Sequence, residues 1–173
     1  MNYGSVTMEI EEMKKNADFL IKTLPGMPIP GSARMTCKYR KLVNLAKIYG
    51  ITDPKYIGPE EEGIVACHAW ANAYTVNALF KLVLNTKLTQ DGKERPVLLN
   101  VGKLLHAGNI YDWDGCVDVK NGDKLTGTAK WGDFWLVEES MTLFGYLHLE
   151  VKNQNDELVC NVSGRLAVRP GGY

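Results

Sequence analysis

The chain has 173 residues, with 20 basic and 20 acidic side chains, and 45% of it is apolar. That is the length of one ordinary domain, with enough apolar residues for a real core. The balanced charge excludes bulk attraction to nucleic acid, and no basic run interleaved with aromatics supplies a local one.

Residues 7–24 read as a first helix. Met8, Ile10, Met13, Phe19, Leu20 and Leu24 supply its apolar positions, and Glu9, Glu11 and Glu12 suit its first turn. This start is acidic and amphipathic, unlike a secretory signal, so a cytoplasmic protein is expected. The stretch LPGMPIPGSA that follows reads as an extended loop or linker. A second helix is expected over residues 36–48, with Gly50 placed to end it. Asp53-Pro54 marks a turn, and Glu60, Glu61 and Glu62 form a negative loop. Residues 64–85, IVACHAWANAYTVNALFKLVLN, then read as one long helix. Its polar residues change sides along its length, which predicts burial along most of it. His68 and Lys81 interrupt the run, so no membrane span is expected.

After this helix the period changes. Residues 85–96 are polar, with a turn at Asp91-Gly92. A short extended piece over residues 97–105 and a strand over 108–119 are expected, with Asn121-Gly122-Asp123 as the tight connection onwards. Apolar and polar residues alternate over 124–135, 142–152 and 157–168, and residues 153–156 join the last two runs as a hairpin. The order is helices, one long apolar helix, then antiparallel strands with one apolar face. Wrapping the sheet around the helix satisfies both, which is an α+β fold of the hot-dog type. The expected division is residues 1–35, an N-terminal helix and linker, and residues 36–173, the hot-dog domain.

Few residues carry an obvious chemistry on their own. Cys37, Cys67, Cys116 and Cys160 are scattered, with no metal-ligand spacing, and read as free thiols. Asp112, Asp114 and Asp118 lack a calcium-loop spacing and read as a solvated edge rather than a metal site. No metal and no cofactor are expected. Asn161-Val162-Ser163 matches a glycosylation acceptor, but it lies inside a strand pattern. His148 sits on the polar face of a strand and reads as a surface residue. Trp70, Trp113, Trp131 and Trp135 read as core or interface anchors.

The run VGKLLHAGNIYDWDGCVDVKNGDKLT, residues 101–126, resembles the MaoC-like (R)-specific enoyl-CoA hydratases and 3-hydroxyacyl dehydratases. It is most similar to the N-terminal half of their double hot-dog members. The matching features are His106, Ile110-Tyr111 and Gly122-Asp123-Lys124-Leu125-Thr126, within a resemblance that spans residues 36–169. The resemblance implies reversible water addition to an enoyl thioester of CoA or a carrier protein. It also implies an Asp and a His that activate the water, and amides near the start of the long helix that polarise the carbonyl. In this chain Ile51 stands where that Asp belongs and Tyr56 where the His belongs, with Asp53 between them. The resemblance therefore implies an acyl-pocket subunit, in a homodimer or with a dyad-bearing hot-dog partner. His68, Asp53 and Tyr56 are the remaining catalytic candidates, and Cys67, His68, Trp70 and His106 the expected substrate contacts. Two other readings stay open. One is a hot-dog thioesterase using Glu60 to Glu62, and the other a non-enzymatic acyl-CoA or lipid-binding module.

Overall fold

The computed structural model describes residues 9–173. In chain order the elements are α1 (Ile10–Thr23), β1 (Pro28–Thr36), α2 (Tyr39–Ile48), the single turn α3 (Pro54–Ile57) and α4 (Trp70–Leu82). There follow a hairpin of β2 (Lys87–Gln90) and β3 (Lys93–Pro96), then β4 (Leu104–Asp112), β5 (Lys124–Val137), β6 (Thr142–Lys152) and β7 (Leu158–Val168). Thr7 and Met8, expected in the first helix, lie outside the described residues.

β1, β4, β5, β6 and β7 form one antiparallel sheet in the order β1-β5-β6-β7-β4. The alternation seen in the sequence now has its cause. Leu125, Trp131, Leu143, Leu147, Leu149, Val151, Val162 and Leu166 are buried on one face of the sheet. α4 lies across that face and touches β1, β5, β6 and β7. Its inward side is Trp70, Tyr74, Ala78, Leu79 and Leu82, spaced at helical intervals and all buried. The expected α+β arrangement of a sheet around a central helix is what the chain forms.

Several elements differ from expectation. The Pro/Gly-rich stretch is an edge strand, β1, rather than a loop. Its register shifts between Ile29 and Ala33, so Pro30 and Gly31 fall in an irregularity where a missing amide donor costs no ladder bond. The long helix is shorter than residues 64–85. Ile64 to Cys67 run extended, because the Val65 amide donates to the Lys55 carbonyl and the Ala66 amide to that of Val119. α4 also leaves one side open: Asn72, Asn77 and Lys81 are exposed there with Phe80. The chain leaves the sheet after Asp112, whose Oδ1 accepts from the Asp114 amide, so residues 113–119 are not strand. Asn121-Gly122-Asp123 is then not a hairpin, since β4 and β5 are not neighbours. It is a turn docked on the end of β1 through reciprocal backbone bonds with Cys37.

The Asp91-Gly92 turn does join two strands, β2 and β3. Both residues have positive φ, 51° and 74°, which matches the twist of a two-residue hairpin. α1 packs on β5 and buries Met13, Ala17 and Leu20, so it extends the core rather than standing apart from it. Lys14 pairs with Glu138 at 3.0 Å and Lys15 with Asp91 at 2.6 Å. Among the described residues, no helix is long and apolar enough to cross a membrane.

Candidate functional site

A cavity of about 90 Å³ lies between the N-terminal end of α4 and the sheet. Its inner wall is apolar and buried: Trp70 and Tyr74 from α4, Leu125 from β5, Val151 from β6, Val159 and Cys160 from β7. Its outer part is lined by His68, Trp113, Cys116, Val117 and Asp118, all at least partly exposed. The departure of the chain from the sheet after β4 is what brings Trp113 to Asp118 over this opening.

Aromatic stacking organises the mouth. The His68 ring lies 4.5 Å from that of Trp113 at an interplanar angle of 11°, and Trp113 lies 5.4 Å from Tyr111 at 14°. Asp118 Oδ2 accepts from Lys55 Nζ at 3.2 Å, and this bond holds the Lys55 ammonium above its ordinary pKa. The backbone offers donors here as well. The Trp70, Ala71 and Asn72 amides are taken by the carbonyls of Cys67, His68 and Ala69. The amides of Cys67, His68 and Ala69 themselves meet no acceptor among the described residues. Free donors before a helix are suited to a carbonyl oxygen that gains negative charge.

Next to the mouth, α4 and β4 share a neutral hydrogen-bond cluster. Tyr111 Oη and Thr75 Oγ1 are 2.8 Å apart, and Asn109 Nδ2 donates to Tyr111 Oη and to Asn72 Oδ1, each at 3.1 Å. His106 Nε2 lies 2.9 Å from Asn109 Oδ1, which sets that nitrogen as the donor. Burial pushes the Tyr111 hydroxyl up, against the hydrogen bonds from Thr75 and Asn109, so it stays protonated at neutral pH. Of the cavity thiols, Cys160 is pushed up to about 12, chiefly by desolvation, and is no nucleophile at neutral pH.

The sequence-predicted residues divide into two groups. Cys67, His68 and Trp70 line the cavity. His106 does not; it lies on β4 at a register shift, exposed. Asp53 caps α3, its Oδ1 accepting from the Lys55 amide at 2.8 Å, and Tyr56 is half-buried against the core; neither lines the cavity. Glu60 to Glu62 form an exposed 3₁₀ turn away from it. Sequence reasoning missed Asp118, Trp113 and the Asn72–Asn109–Tyr111 cluster. A signal for the cluster existed: Asn72 and Thr75 share a helix face, and Asn109 and Tyr111 share a strand face. Among the described residues, no group of three or more His, Cys, Asp and Glu side chains is placed to hold a metal ion.

No protein-family model matches the chain, and no curated protein matches it in sequence. Solved structures do match in shape. One is a MaoC-like dehydratase from Rhodospirillum rubrum, with a TM-score of 0.58 and 14% identity, covering 86% of this chain and 94% of that one. Another is the C-terminally truncated HadBC (3R-hydroxyacyl-ACP dehydratase) complex from Mycobacterium tuberculosis, at 0.62 and 14%, covering 86% and 99%. A third is a thioesterase complexed with coenzyme A and Zn from Thermus thermophilus, at 0.51 and 16%, covering 84% and 88%. These likenesses define the class: the chain has the hot-dog fold. Its structural neighbours include both dehydratases and thioesterases of that fold.

Proposed function

We propose that the chain binds an acyl thioester and supplies the acyl pocket of a MaoC-like hydratase or dehydratase, with a second hot-dog subunit carrying the acid–base dyad. The observation that carries this is the apolar-walled cavity that opens at the start of α4, read together with the resemblance, which puts Ile51 and Tyr56 where the dyad belongs. The tail enters the cavity, and the thioester carbonyl comes to the free amides of Cys67 to Ala69. His68 and Trp113 border the chain where it enters. Isoleucine cannot move a proton, so water activation falls to the partner. The HadBC neighbour is itself a complex of dehydratase subunits, which supports a heteromeric arrangement. The carrier is CoA or a carrier protein, and the setting is cytoplasmic acyl metabolism.

The test uses the purified chain alone. Hexanoyl-CoA should bind it, while crotonyl-CoA should show no loss of enoyl absorbance. Full hydratase turnover by the lone chain would overturn the subunit reading.

A second reading is favoured by one observation: His68 and Asp118 both line the mouth. A His and a carboxylate there could activate water for hydrolysis of the thioester. Release of free CoA from an acyl-CoA, abolished in both H68A and D118N, would select that thioesterase reading.

A further inference from the structure

We propose that the outer face of α2 docks on an anionic lipid surface. This goes beyond the acyl-thioester reading and does not depend on it. The balanced total charge of the chain conceals a segregation. Residues 19–52 carry six cations, Lys22, Arg34, Lys38, Arg40, Lys41 and Lys47, and no acidic residue. α2 gathers three of these on one side. Leu42, Val43 and Ala46 turn inward and are buried, so the apolar stripe of the helix is covered by the core. Arg40, Asn44, Lys47 and Ile48 follow at i, i+4, i+7 and i+8 on the outward side, with Lys41 beside them, and all five are exposed.

Among the described residues, Arg40, Lys41 and Lys47 make no ion pair, although the chain pairs Lys14 with Glu138 and Lys55 with Asp118. The acidic turn Glu60–Glu62 stands at the other end of α2, where Asn121 accepts from the Tyr39 amide and donates to Glu60. The basic stripe ends at Ile48 and Tyr49, which are 77% and 61% exposed. Among the described residues no large apolar side chain is more exposed than Ile48.

The unpaired cations select an anionic partner, and the shape of the face selects its kind. The face is the convex side of a helix, and its apolar tip protrudes. A bilayer interface receives a protruding Ile and Tyr without a matching pocket, while its headgroups meet the cations. Nucleic acid would leave Ile48 against phosphates. Tyr39, the ring inside the basic run, is half-buried and its hydroxyl donates to the Gly58 carbonyl at 2.9 Å, so it is not free to stack on a base. An acidic protein would need a groove of its own to seat Ile48. Among the described residues no helix is long and apolar enough to cross a membrane, which fits contact from one side.

The experiment sediments the full chain with vesicles of phosphatidylcholine alone and of phosphatidylcholine with about 30% phosphatidylserine. The chain should bind the anionic vesicles, bind the neutral ones at least about tenfold more weakly, and leave the anionic ones in about 0.5 M salt. R40A/K47A should weaken binding about thirtyfold. I48S should weaken it about tenfold. Both variants should keep the wild-type urea midpoint, since the side chains removed lie outside the core. Failure to bind anionic vesicles, or equal binding to neutral ones, overturns the proposal. Binding that survives R40A/K47A overturns its placement on α2. The same chain is titrated with duplex DNA and with an acidic acyl carrier protein. Binding of either that is lost in R40A/K47A, with vesicles left unbound, assigns the face to that partner and sinks the lipid proposal.

Discussion

At the residue scale, neighbouring thiols of this chain sit in unlike environments. Cys37 and Cys160 are buried, and desolvation pushes both up to about 12. Cys116 is only partly covered. Because the thiolate is the reactive form, alkylation depends on both ionisation and access. In the native chain at about pH 8, iodoacetamide should modify Cys116 well before Cys37 or Cys160, and all four cysteines should react after denaturation. Peptide mass spectrometry checks the order. The same scale shows what could be read in advance around the cavity. Cys67, His68 and Trp70 lie at the start of an evident helix, so their place at its sheet-facing end was readable. Trp113 and Asp118 were not, since their position depends on the chain leaving the sheet after Asp112. At that exit the Asp112 carboxylate accepts from the Asp114 amide, a local turn that no periodicity announces.

At the scale of elements, patterns of period two were the most legible. β5, β6 and β7 alternate along most of their length because only one face meets α4. β1 was hidden because its prolines and glycine look like a breaker, and edge position with an irregular register is what tolerates them. The run before α4 looked helical because its residues are apolar, but the Lys55 and Val119 carbonyls claim the Val65 and Ala66 amides. Small residues in these strands have a packing reason that composition does not reveal. G127A should drive a methyl against the Tyr74 hydroxyl and destabilise the fold by about 1–3 kcal/mol. A urea titration of the variant beside wild type measures this. Y74F in the same background removes the oxygen and should recover part of the loss.

At the scale of the whole molecule, the order of elements was enough to suggest a sheet around a helix. α1 packs on β5 within the same core, a docking surface that an amphipathic pattern alone does not name. The folded chain also has a definite response to alkali. Cys37 and Cys160 ionise near 12 when folded, against an ordinary value of 9.0, and Tyr74 is raised in the same direction. Between those values the unfolded chain releases protons that the folded chain keeps. Stability should be full below about pH 9 and fall as pH rises towards about 12. The urea midpoint should therefore be lower at about pH 10.5 than at about pH 8, and C37A/C160A should show a smaller drop. The strand order carries one more consequence, for the time course of folding. Ala33 pairs with Gly127 and Leu104 with Val168, so both outer strands are synthesised long before their neighbours exist. During synthesis β1 and β4 wait as unpaired segments, and the sheet can assemble only from its late, locally connected centre, β5 to β7, outwards. A chain wired this way folds on the slow side for its size, because distant ends must meet before the outer strands gain anything from pairing.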